Sequence, residues 1–274
     1  MNPEIESWLQ LIFRWLHVIA GVMWIGHLWF FNFVNAQVAK TYDADSKKKV
    51  VPELMPRALY WFRWGAAYTW ITGILLLAFV YYMGGQLVPM DNTAKMGVGA
   101  ASAVSLAVLV IAFAIYDVMW KAMAKQEMAA AAISFVLVAG LAFGLGQLYI
   151  GRAVYIHIGA VFGTIMAANV WMRIWPNQRK IIWAVKNGTA PDAALVATAG
   201  LRSKHNTYMS FPLMFFMLSN HYPTVYGWEW GWALIPAFVA VGWGITKFCY
   251  TKAGSDAPKQ FAPADAPAPE AAAK

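Results

Sequence analysis

Charged residues are scarce in this sequence. Only 12% of its 274 residues are charged, whereas about a quarter is usual in soluble domains. So little charge leaves too few polar groups to cover a water-facing surface, and 60% of the residues are hydrophobic. A lipid bilayer is the solvent that suits such a chain. The 15 tryptophans and 12 tyrosines agree, because both side chains favour the membrane–water interface. The composition therefore predicts an integral membrane protein.

Cysteine is almost absent as well. The single one, Cys249, excludes an internal disulfide, a thiolate-ligated iron–sulfur cluster and a CxxCH attachment site for haem c. The sequence also has no GxSxG, Walker, HExxH or GxGxxG motif, so hydrolase, ATPase and nucleotide-dehydrogenase functions have no residues to perform them. Glu4 and Glu6 stand where a signal peptide would be basic, so the first apolar stretch is interpreted as a retained span.

Seven apolar stretches are long enough to cross a bilayer, at about 20 residues each. They predict an all-α bundle of about seven transmembrane helices. The sixth stretch is the least apolar, since Lys204, His205 and Asn206 lie in its first turns. The predicted spans are Trp8–Ala36, Leu59–Met83, Met96–Trp120, Met128–Tyr149, Arg152–Trp175, Leu201–Asn220 and Trp228–Tyr250.

The loop charges predict the orientation of the bundle. Lysine and arginine concentrate after spans one, three, five and seven, which places the N-terminus outside and the C-terminus in the cytoplasm. The net charge of +8 is thereby explained by loops that face anionic lipid, and nucleic acid is not an expected partner. An amphipathic segment, Gln178–Lys186, is expected on the inner membrane surface. Residues 1–252 form the transmembrane domain, and the Ala/Pro-rich residues 253–274 are predicted to be a disordered tail.

Histidine is the residue type that most strongly suggests a function. Polar side chains at membrane depth are costly and usually point into the bundle, and imidazole is a common axial ligand of haem iron. The five histidines lie in or beside the predicted spans. They are His17, His27, His157, His205 and His221.

The predicted orientation sorts these histidines by depth. His17 and His157 lie in the outer halves of their spans, so they could share one haem, with His221 nearby at the outer edge. His27 and His205 could serve an inner site. Ten residues rotate His27 by about 280° from His17, so the two do not share a helix face. Ordinary helix packing with hydrogen-bonded histidines is the alternative interpretation.

Other polar residues allow more than one role. Arg14, one turn before His17, could pair with a haem propionate or extend to the outer interface. Asp117 and Lys121 have the i, i+4 spacing of an ordinary ion pair. Asn169 and Arg173, at the inner end of span five, could hold an anion or cap the helix.

Three blocks of sequence resemble the membrane domain of bacterial membrane-bound urate oxidases (urate hydroxylases). They are Trp15–Gly26, His157–Val170 and Ser203–Pro223. The resemblance implies a multi-helix domain of the bacterial inner (cytoplasmic) membrane, followed in family members that oxidise urate by one more span and a cytochrome c domain. It places His17, His157, His205 and His221 at the family's motif positions. The first block is also similar to small haem-binding membrane proteins of the protoporphyrinogen-oxidase and copper-resistance type.

The chain departs from those relatives because it has no CxxCH motif. Electrons would then leave through a separate c-type cytochrome, a quinone or another membrane subunit. The leading hypothesis is a haem-b-binding membrane redox protein, with His17 and His157 on the haem iron and with a possible oxidoreductase activity. One alternative is a non-catalytic accessory or scaffold subunit of an electron-transfer complex. A small-anion transporter using Arg14, Asn169 and Arg173 is the third hypothesis.

Overall fold

The protein is a bundle of long helices. The computed structural model describes residues 2–91 and 93–255, and the regular secondary structure in that part of the chain is helical throughout. This confirms the predicted all-α fold. The seven long helices are α1 Pro3–Val38, α2 Ala44–Tyr82, α3 Val98–Ala122, α4 Glu127–Gly146, α5 Gly151–Lys186, α6 Ala193–Leu218 and α7 Gly231–Ala253.

Six of these helices are long and apolar enough to cross a membrane, within the described part of the chain. The exception is α6, whose first half carries Arg202, Lys204 and His205. The sequence predicts about seven transmembrane helices. The structure has seven long helices in the described residues, and six of them are apolar enough along their own length to be candidate spans. The chain is a multi-pass membrane protein whose environment is the lipid bilayer.

Three helices extend well beyond the predicted spans, namely α2, α5 and α6, and α6 begins at Ala193 instead of Leu201. Helix α2 begins at Ala44, because the Asp43 carboxylate accepts a hydrogen bond from the Ser46 backbone N–H at 2.7 Å and caps the helix. Helix α5 continues to Lys186, although a break had been expected after Trp175. Hydropathy detects only the lipid-depth part of a helix, so helical extensions into the interface are missed.

The amphipathic segment after the fifth span requires a correction. It does not lie alone on the membrane surface but continues α5, where it buries Ile182 and Val185 and packs against α2 and α6. A π-helical stretch, Val170–Ile174, precedes it. Pro176 follows this stretch directly; it has no N–H to donate to the preceding turn, and π-helical turns are places where a continuous helix departs from its regular hydrogen-bond pattern.

Helix α5 is the centre of the bundle and contacts α2, α3, α4, α6 and α7. Helix α1 lies outside this group and packs mainly along α2. The two backbones approach closely at Gly65, where a Cβ atom would lie 3.0 Å from the Trp24 backbone nitrogen. Helix α7 ends at Ala253. The rest of the predicted disordered tail, from residue 256 onward, lies outside the described residues.

Candidate functional site

A cavity of about 600 Å³ lies between α1, α2, α5 and α6. Its volume falls within the range of about 300–1,000 Å³ that is usual for small-molecule and cofactor sites. Apolar side chains and small residues form most of the wall, which leaves room for a flat ligand against the helices. The small residues of the wall are Gly21, Gly26, Gly73, Ala160 and Gly163.

His17 is part of this wall, and its hydrogen bonds define its tautomer. Its Nδ1 lies 3.0 Å from Thr72 Oγ1. The Thr72 hydroxyl donates its single proton to the carbonyl oxygen of Tyr68 at 2.6 Å, so it can only accept from His17. The proton of His17 therefore resides on Nδ1, and Nε2 carries a lone pair. No hydrogen bond to that Nε2 is found among residues 2–91 and 93–255, so it has the form in which imidazole binds a metal.

The turn that follows α6 adds polar groups to the cavity wall. Arg152 Nε and the Tyr81 hydroxyl both donate to Asn220 Oδ1, each at 2.8 Å. His221 follows directly and lines the cavity as well. The guanidinium group of Arg152 is therefore held in place beside a cavity that is otherwise apolar.

Arg14 supplies a second guanidinium group to this wall. It lies near the same end, because its neighbour Phe13 stacks on Phe79, two residues before Tyr81, with ring centroids 5.6 Å apart. The cavity thus combines an apolar body with a positively charged end. Such a site suits a flat, largely apolar ligand that carries anionic groups.

His157 is not part of the cavity wall. Its side chain is fully buried, and Nδ1 donates to the Ala153 carbonyl oxygen at 2.6 Å. Its Nε2 therefore accepts from Ser105 Oγ at 2.6 Å, and Ser105 in turn bonds to the Tyr82 hydroxyl at 2.6 Å. Both ring nitrogens are used within the protein. The structure does not bring His17 and His157 together, which corrects the sequence-based pairing; His221, not His157, shares the cavity with His17.

The two remaining histidines lie apart from each other. His27 donates from Nδ1 to the Met23 carbonyl oxygen at 2.7 Å within its own helix. His205 lies against α3, where Nδ1 is 2.8 Å from the Tyr116 hydroxyl and the ring centroid is 4.0 Å from that of Trp120. Their neighbours differ, so the structure does not assemble the inner two-histidine site expected from the sequence.

A second polar group of side chains joins α3, α5 and α6, and we call it the Asp117 cluster. It consists of Asp117, Lys121, Arg173 and Arg202. The predicted pair of Asp117 and Lys121 is confirmed at 2.6 Å. Arg173 binds both carboxylate oxygens, at 3.0 and 2.5 Å, and Arg202 binds Oδ1 at 2.9 Å. Arg173 therefore holds a carboxylate, and one negative charge faces three positive ones.

The environment of this cluster leaves two buried polar atoms without a hydrogen-bond partner. They are Arg202 Nη1 and Asn169 Oδ1. The Asn169 amide nitrogen donates to the Tyr116 hydroxyl and to Asn206 Oδ1, both at 2.9 Å. Asn169 therefore belongs to a hydrogen-bonded network inside the bundle and does not cap a helix end.

Sequence reasoning did not identify Thr72 and Arg152 as site residues. Arg152 has the same signal as Arg14, namely a lone cation in the outer turns of a span, but the sequence analysis used it only as the first residue of the fifth span. Thr72 could not be recognised from the sequence, because threonine is common in membrane helices and its partner, His17, is 55 positions away.

A family model described as urate oxidase N-terminal matches residues 3–49 and 41–268, which together cover nearly the whole sequence. Searches of the curated proteins and of the solved structures give no match for this chain. The family match agrees with the resemblance of the three sequence blocks, all of which contribute residues to the cavity wall, on α1, on α5, and on α6 with the turn that follows it.

Proposed function

Since this chain belongs to the urate oxidase N-terminal family, we propose that it is a haem-b-binding redox protein of the membrane, with His17 as an axial ligand. The observation that carries the proposal is His17 at the wall of a cavity of about 600 Å³, with Nδ1 3.0 Å from Thr72 Oγ1 and no hydrogen bond to Nε2 within the described residues. A neutral imidazole whose other nitrogen is fixed by a hydrogen bond is the usual form of a histidine that binds a metal.

The remaining wall residues fit a haem in size and charge. Gly73 leaves little space behind the histidine, since a Cβ atom there would lie 3.1 Å from His17 Cε1, so the ring is held in place. Arg14 and Arg152 offer guanidinium groups to two propionates, as guanidinium binds carboxylate well. His221 is the candidate for the second axial position. Haem b supplies one-electron transfer when it is bound.

The proposed electron acceptor is a separate c-type cytochrome, a quinone or another membrane subunit. The 274 residues contain one cysteine and hence no CxxCH, so a haem c within this sequence cannot fill that role. The charged end of the cavity, with Arg152 and His221, is the end that the predicted orientation places outside, where such an acceptor would dock in the bacterial inner membrane.

Haem content of the purified protein tests the proposal. Protein produced with haem available should show Soret and α bands in reduced-minus-oxidised spectra and release haem b on extraction. His17→Ala should lose most of this haem. His27→Ala is the matched control, because His27 lies on the same helix but bonds to its own backbone and does not line the cavity. His157→Ala should retain haem as well.

Two results contradict the proposal. Wild-type protein that contains no haem, although folded and supplied with it, would leave the accessory-subunit hypothesis as the better account. Equal haem loss in the His17 and His27 variants would show that the binding site is not this cavity. A smaller loss in His221→Ala than in His17→Ala is expected, because His221 is exposed and has no hydrogen bond to orient it within the described residues.

A further inference from the structure

The Asp117 cluster carries two more positive than negative charges. Its carboxylate accepts three hydrogen bonds, two from Arg173 and one from Arg202, and it forms an ion pair with Lys121. An ionised carboxylate has about four acceptor positions, so these three cations occupy nearly all of them. Another ion pair at this end of the bundle, Lys204 with Glu127 at 3.2 Å, is neutral by itself. No neighbouring acid in these contacts therefore compensates the surplus charge.

The surplus positive charge of the Asp117 cluster has its largest free-energy cost at Arg202. Only 4% of its side chain is exposed, its guanidinium lies over the Tyr116 ring, and its buried Nη1 has no hydrogen-bond partner among residues 2–91 and 93–255. A buried guanidinium nitrogen that lacks an acceptor loses its hydration without a replacement. Lys121 has two further N–H groups besides the one that binds Asp117, and 54% of its side chain is exposed. The cluster thus has unused donors both inside the bundle and at its surface.

We propose that the Asp117 cluster binds a phosphate group, with Arg202 as the buried donor and Lys121 as the exposed one. A free phosphate ion carries up to two negative charges, which equals the surplus, whereas a lipid phosphodiester carries one, which offsets half of it. In both cases the phosphate oxygens accept several charge-assisted hydrogen bonds. The phosphate belongs either to an anionic lipid headgroup or to a free phosphate ion. The surrounding surface admits a lipid, because Val118 and Met172, beside the cluster, are exposed apolar side chains.

Thermal unfolding of the delipidated full-length protein in detergent tests this site. Phosphatidylglycerol is added in one arm and phosphatidylcholine in another, and inorganic phosphate is compared with chloride at equal ionic strength. The proposal expects a higher Tm with phosphatidylglycerol than with phosphatidylcholine, or with phosphate than with chloride. A higher Tm with phosphatidylglycerol would indicate that the phosphate belongs to a lipid, and a higher Tm with inorganic phosphate would indicate a free ion.

Lys121→Gln should weaken the apparent affinity of the effective ligand by about tenfold, the usual effect of one lost charge-assisted hydrogen bond. Lys204→Gln is the matched control, because it removes the same charge from the same end of the bundle at a similar exposure, 48% against 54%. Its affinity should stay within about twofold of wild type, since charges outside a specific contact contribute little.

The proposal is overturned if neither phosphatidylglycerol, whose headgroup has a net negative charge, nor inorganic phosphate raises Tm above its comparison, which is phosphatidylcholine for the lipid and chloride for the ion. It is also overturned if Lys121→Gln binds as wild type does, or if both variants weaken binding equally, which would indicate diffuse attraction to a basic surface. Because the cavity and the Asp117 cluster share no lining residues, the outcome is independent of haem binding.

Discussion

Asp117→Asn should be among the most destabilising single substitutions in this protein. The change keeps the size of the side chain but removes the charge that holds Arg202 and Arg173. Asp117 and Arg202 have only 8% and 4% of their side chains exposed, so this pair is buried. Removing one partner of a buried ion pair costs about 3–5 kcal/mol, because the other charge remains without compensation. Lys121 is half-exposed, so the loss of its ion pair with Asp117 adds at most about 1 kcal/mol to this destabilisation.

A decrease of about 3–5 kcal/mol in the free energy of unfolding corresponds to a fall in Tm of about 6–20 °C, at about 2–4 °C per kcal/mol for a chain of this size. Tryptophan fluorescence during heating in detergent measures it. Glu53→Gln is the control, since that acid also pairs with an arginine, Arg57 at 2.8 Å, but both side chains are exposed. Its Tm should not change measurably. The reasoning fails if the two substitutions lower Tm equally.

A double-mutant cycle sharpens the test. Arg202→Gln removes the charge that Asp117→Asn leaves without compensation, so the double variant should be less destabilised than the sum of the two single variants. Groups in direct contact show coupling of about 0.5–3 kcal/mol. Strict additivity would mean that the two side chains do not depend on each other.

Three further results are expected. Thr72→Val removes the acceptor that orients the axial histidine and should lower haem affinity by about 10–100-fold, with recovery in Thr72→Ser; equal haem retention in both variants would argue against the proposed ligand. Gly65→Ala places a Cβ against the neighbouring backbone and should cost about 1–3 kcal/mol, measured as a lower Tm, whereas Gly99→Ala, in open space, should not. Ser105→Ala leaves His157 Nε2 without its partner and should cost about 1–3 kcal/mol, while haem content stays at the wild-type level.

Local composition was sufficient to predict the helices. A run of about 20 apolar residues has to cross the bilayer as a helix, since backbone groups have no other hydrogen-bond partners there. For that reason α3, α4 and α7 begin and end within about three residues of the predicted spans. The prediction missed the interfacial ends of α2 and α5, which are formed by a helix cap and by packing and not by hydropathy.

The residues of the site could be named from the sequence, but their partners could not. Depth along a helix can be estimated from residue number, and on that basis the sequence predicts that His17 and His157 lie at one level of the bundle. The direction in which each ring points depends on how the helices rotate against one another. Packing turns His157 toward Ser105 and leaves His17 beside the cavity.

By itself, then, the sequence determined that this is an all-α membrane protein of the urate oxidase N-terminal family, because hydropathy and sequence motifs are properties of the chain in one dimension. Only the tertiary structure decided which histidine nitrogen is left for a ligand and which arginine nitrogen has no hydrogen-bond partner within the described residues. These depend on hydrogen bonds between residues far apart in sequence, such as His17 with Thr72 and Arg202 with Asp117. Such contacts form only when the helices pack.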